Sequence, residues 1–181
     1  MSVGLALFGA FLVGGCIARV PDDVSFVSLE LVKKGEADDA DLLKVEFTSS
    51  MDLARFATEN SYVLGVNAYF CDRPDELVLM AHPFIYWRGW RLGLERTALL
   101  QGAQDLPITY HVFLDLEGRQ MKSYDQGNPY RAFDLANNPQ DVCFQLAGGS
   151  VTGFGFGYRS NKAVIPKATI EAALRDLQVR S

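Results

Sequence analysis

Apolar and polar residues alternate along most of the chain with a period of two, the mark of strands that bury one face. In residues 26–33, Val27, Leu29 and Leu31 fall on one side and Ser28 and Glu30 on the other. "LLKVEFT" repeats the pattern with Leu43, Val45 and Phe47, and the intervening "KKGEADDAD" has the Gly and acidic residues of an exposed connection. From Tyr62 to Cys71 the apolar set is Leu64, Val66, Ala68 and Phe70, which leaves Cys71 on the other face with Asn67 and Tyr69. "LVLM" is strand-like, and "PFIYWRGWRLGL" contains a Gly suited to a turn or bulge. "ITYHVFLDLEGRQMKSY" reads as a hairpin, with Ile108, Tyr110, Val112 and Leu114 inward and "EG" at the turn. Cys143 alternates against Val142, Phe144 and Leu146. In "VTGFGFGYR", Phe154, Phe156 and Tyr158 alternate with glycines, giving a strand with one bare face.

Two stretches depart from this period. "DLARFATEN" follows Ser49-Ser50-Met51-Asp52, a capping-box-like start for a short helix. "KATIEAALRDLQ" places Ile170, Leu174 and Leu177 on one helical face, with Pro166 at the entrance. Many short strands and one convincing helix at the end predict a mainly β fold. The expected architecture is an antiparallel β-sandwich, immunoglobulin-like or transthyretin-like, with a short C-terminal helix; a small barrel is the alternative.

The first eighteen residues carry no side-chain charge, and the apolar run from Val3 to Val13 has the length of a signal-peptide core rather than of a membrane span. The run ends in Val13-Gly14-Gly15-Cys16, which resembles the lipobox of bacterial lipoproteins, in which the cysteine is lipidated. The resemblance implies a lipoprotein-type signal over residues 1–16 ending at Cys16, a tether over 17–24 and a single β-rich domain over 25–181. The expected partner is then the membrane, through the N-terminal lipid. Ile17 rather than Asp after the cysteine implies an outer-membrane address facing the periplasm. An uncleaved N-terminal anchor and a hydrophobic helix are the competing readings.

About 165 residues remain beyond the signal, enough for one domain with a sizeable core. All 17 basic and 22 acidic residues lie after Cys16, so this part keeps the net charge of −5, and nothing in it invites nucleic acid. Of three cysteines, assigning Cys16 to lipid leaves Cys71 and Cys143 to pair in an oxidising compartment. Neither lies on the apolar face of its strand.

His82 and His111 have no partner at metal-ligand or triad-like spacing and read as structural or exposed. In "GGSVTGFGFG" Ser150 misses the G-x-S-x-G spacing, and the glycines open no helix. Asp38, Asp39 and Asp41 lack the spacing of a calcium loop and read as a solvated acidic connection. No cofactor or metal site is expected, and no catalytic residue can be named. "YWRGWR" is the candidate binding surface: Trp87 and Trp90 offer faces to sugar rings, and Arg88 and Arg91 meet carboxylates or phosphates. The competing reading packs alternate residues of this stretch in the core. The sequence therefore predicts a non-enzymatic interaction or binding protein of the cell envelope, with envelope proteins or glycans as partners. The alternatives are a hydrolase whose site assembles only in three dimensions, and a glycan-binding module.

Overall fold

A computed structural model describes residues 23–33, 41–74, 78–79, 84–92, 105–121, 131–150 and 157–180. In chain order these form β1 (Val24–Lys33), β2 (Asp41–Ser49), α1 (Leu53–Asn60), β3 (Tyr62–Phe70), β4 (Val78–Leu79), β5 (Tyr86–Trp87) and β6 (Trp90–Arg91). They continue with β7 (Ile108–Asp115), β8 (Glu117–Met121), β9 (Arg131–Asp134), β10 (Val142–Ser150), β11 (Tyr158–Ile165) and α2 (Lys167–Arg180). Every strand pairing is antiparallel. One sheet has the order β1-β2-β7-β5-β6 and the other β11-β10-β3-β4-β8-β9. With β5 and β6 taken as one edge hairpin, the first sheet follows the A-B-E-D order of immunoglobulin-like sandwiches, and β11-β10-β3-β4 follows G-F-C-C′. The β8–β9 hairpin extends the second sheet at its C′ side. No helix among the described residues is long and apolar enough to cross a membrane.

The period-two pattern explains the single core. Leu43, Val45 and Phe47 of β2, Tyr110, Val112 and Leu114 of β7, and Phe144 and Leu146 of β10 are all buried in one cluster. Phe47 touches both layers, with its ring centroid 5.9 Å from Tyr110 in its own sheet and 5.6 Å from Phe144 in the opposite one. The sandwich is closed at one side by polar groups. β11 bulges opposite Leu146, and the bulge turns the Asn161 side chain to the start of β1. There it accepts from the Val24 N–H at 2.7 Å and donates to the Val24 carbonyl at 2.9 Å. Ile170 of α2 is fully buried and Leu174 packs against the core, which confirms the predicted helical face for these two; the Leu177 side chain lies outside the description.

Three expectations change. Val27 is 51% exposed because β1 bulges between Phe26 and Ser28, so Val24 and Phe26 face inward before the bulge and Leu29 and Leu31 after it. The predicted hairpin at "DLEG" does not form: after Leu116 the chain crosses to the other sheet, and β8 pairs with β4 and β9. Gly118 passes so close to the Phe133 ring that a Cβ there would lie 3.1 Å from it, a packing rather than a turning reason for this glycine. Helix α1 forms as expected, but its cap is Asp52, whose carboxylate accepts from the Arg55 N–H at 3.0 Å. The glycine-aromatic strand at residues 151–156 lies outside the described residues, and Tyr158 beyond it is buried.

The Cys71–Cys143 disulfide is present, with Cα atoms 5.0 Å apart. It joins the end of β3 to β10 within one sheet, on the face turned from the core, whereas the antibody-domain bridge runs between sheets. Asp141 sits beside it and serves two neighbours: its carbonyl accepts from the Cys71 N–H at 3.0 Å, and its carboxylate accepts from the Lys167 N–H at 2.6 Å, capping α2.

The buried Leu53 N–H at the start of α1 donates to the Tyr110 hydroxyl at 3.0 Å. Tyr110→Phe removes this acceptor and leaves a buried donor unmet, so denaturant unfolding should show a loss of about 1–3 kcal/mol. An unchanged midpoint would separate α1 from this contact.

Candidate functional site

The stretch "FIYWRGWRL" folds as a two-residue hairpin because Arg88 and Gly89 both take positive φ, 48° and 78°, as a type I′ turn requires. For glycine this is free; for arginine it costs roughly 1 kcal/mol. Alternation then sorts the neighbours. Ile85 and Leu92 are buried and Trp87 packs against the core, while Phe84, Tyr86 and Arg91 fall on the outer face.

That outer face carries a row in register across all five strands: Ser28, Glu46, His111, Tyr86 and Arg91. The Tyr86 and His111 rings lie 5.4 Å apart and 15° from parallel, too close to lie side by side in one plane. They are stacked, and both side chains are half-buried. Phe113 closes edge-on to both, at 5.3 Å and 5.4 Å. At the sheet's edge the Arg91 guanidinium lies 3.0 Å over the Phe84 ring, and Arg88 lies 4.6 Å over Trp87.

The charges on the β1–β2 side are spent on one another. Lys44 Nζ is 2.9 Å from Glu46 and 3.6 Å from Glu30, and the Ser28 hydroxyl donates to Glu46 at 2.9 Å. The hydrogen bond from Lys44, then that from Ser28, holds the Glu46 carboxyl below its ordinary range; the bond to Glu46 pushes Lys44 up. Burial pushes His111 down, the Lys44 cation adds to this, and Glu46 opposes it. At neutral pH the row therefore holds an ion-paired Glu46 and a neutral His111 imidazole, followed by Tyr86 and Arg91.

The structure divides the sequence-chosen residues. Of the four at "YWRGWR", Trp87 is half-buried against the core and carries the Arg88 guanidinium over its ring. Arg88 and Arg91 are exposed, and register pairs Trp87 with Trp90, whose side chain lies outside the description. His111 joins the row; His82, Cys16, Asp38 and Asp39 fall outside the described residues, while Asp41 opens β2 opposite Lys33. Sequence reasoning missed Tyr86, Phe84, Phe113, Lys44 and Glu46. One signal was present: Phe113 is an aromatic on the otherwise polar side of "ITYHVFLD", with Thr109, His111 and Asp115.

Comparison with models of known protein families finds no match to the chain, and comparison with the curated proteins finds none either.

Because burial lowers the His111 pKa from 6.5, the unfolded chain binds the proton more readily than the fold. Its contribution to stability is complete above 6.5 and is lost as pH falls from there through the folded-state value. Denaturant titrations across that window should show the native protein weakening with acid and His111→Gln losing that part of the slope. Identical slopes in both proteins would remove His111 from this role.

Proposed function

We propose that the protein is a lipid-anchored lipoprotein of the bacterial cell envelope, held at the outer membrane facing the periplasm, and that it acts as a non-enzymatic interaction protein. The Cys71–Cys143 bridge carries this reading. Such bridges persist in oxidising compartments, and with Cys16 given to lipid every cysteine in the chain has a use. Several acyl chains, at about 0.8 kcal/mol per buried methylene, exceed what stable anchoring needs.

Among the described residues, the groups that face His111 are Glu46, Lys44, Tyr86 and Phe113. They stack on it or pair with one another, an environment that favours recognition over hydrolysis, where a base must meet a nucleophile within hydrogen-bond reach. An immunoglobulin-like sandwich with an outer sheet face of fixed side chains suits a binding role, since strands hold such groups in place.

Intact and peptide mass spectrometry of the full chain expressed in a bacterium tests this. The expected result is an N-terminus at a diacylglyceryl-modified Cys16, with a peptide linked through Cys71 and Cys143, and loss of the lipid mass in Cys16→Ser. An intact Met1 with alkylatable thiols at both positions would overturn it.

A further inference from the structure

Among the described residues, some cations are paired with carboxylates and others are not. Lys44, Arg55, Arg73 and Lys167 each lie within 4 Å of a carboxylate. Arg88 and Arg91 do not: both are exposed, and each guanidinium is laid on an aromatic ring instead, as the Lys162 ammonium is on Tyr69. In a chain of net charge −5 this hairpin brings two such guanidiniums together. A guanidinium held over a ring can still present N–H groups, the part that meets a carboxylate or phosphate through two parallel bonds. The left-handed backbone at Arg88, a position where Asn or Gly is the easy choice, puts the first of these groups at the hairpin tip.

The second observation is spacing. Arg91, Tyr86 and His111 are register partners on β6, β5 and β7, and neighbouring strands lie about 4.8 Å apart. Each side chain brings N–H or O–H groups, and among the described residues none of the three side chains has a hydrogen-bond partner. The Tyr86 and His111 rings are stacked and half-buried, so neither ring offers both its faces to solvent. The step from strand to strand is close to the length of one pyranose ring in an extended glycan. Glu46, next in the row, is neutralised by Lys44 and Ser28 and marks where the donor row ends.

We propose that Arg91, Tyr86 and His111, with Arg88 at the tip, form a binding site for an anionic saccharide that lies across β6, β5 and β7, its carboxylate or phosphate on the guanidiniums. This deepens the interaction-protein reading by naming the ligand class, and its test needs no lipid anchor, so either can fail without the other.

Isothermal titration of the full chain at low salt uses four probes: polygalacturonate, phosphorylated dextran, neutral dextran and polyglutamate. The site predicts binding of one or both anionic glycans, none of neutral dextran, weaker binding of polyglutamate, and loss of affinity on adding salt. Arg91→Gln should weaken glycan binding about tenfold or more, the loss expected for a charge-assisted hydrogen bond, with an unchanged melting temperature. Arg88→Gly, which relieves the left-handed backbone and so keeps the hairpin, should weaken it as well. The proposal is overturned if neither anionic glycan binds, if polyglutamate binds as well as they do, or if both variants bind as the parent does.

Discussion

Phe47 lies against Tyr110 in its own sheet and against Phe144 in the other, and this contact decides which side of each strand faces in. Strand side chains alternate, so fixing one residue on β2, β7 and β10 fixes the rest. With Phe47 and Tyr110 inward, Glu46 and His111 must face out; with Phe144 inward, Cys143 must lie on the opposite face, where Cys71 meets it. A slip of one residue between β2 and β7 would bury His111 and expose Tyr110, and neither side chain could keep its partners. Burial of the 27 clustered core residues, among those described, makes that slip unfavourable.

Around this core, a few polar side chains tie the ends of elements together. Asp52 caps α1, and Tyr110 meets the helix's first N–H from within the core. Asn161 closes the edge between β1 and β11, and Asp141 joins the disulfide corner to the start of α2. Each of these groups satisfies a backbone donor or acceptor that sheet and helix geometry leave open. The outer row of the five-stranded sheet is thus mounted on strands pinned from below and at their ends.

Much of this was legible. The inward set of β2, β3, β7 and β10 follows from alternation alone, and strand parity put the two thiols on faces away from the core. What alternation cannot give is the sheet to which a strand belongs. "ITYHVFLDLEGRQM" keeps one parity from Ile108 to Leu116, and nothing local says that the chain then crosses to pair with β4. The bulge at Val27 is invisible for a similar reason: it depends on the partner strand, which needs only one residue where β1 has two. At the hairpin, composition drew the eye to tryptophan, but parity sends Trp87 inward with Ile85 and leaves Tyr86 and Arg91 outside. The row itself joins residues far apart in sequence and exists only once the register is set.

The register is therefore what most directly tests the account, and nuclear Overhauser contacts in the folded protein read it. The structure predicts cross-strand backbone contacts linking Glu46 to His111 and His111 to Tyr86, ring contacts between Tyr86 and His111, and ring contacts of Phe47 with both Tyr110 and Phe144. Contacts that place the His111 ring against Phe144, or that pair Glu46 with Tyr110, would contradict the fold and remove the outer row with it.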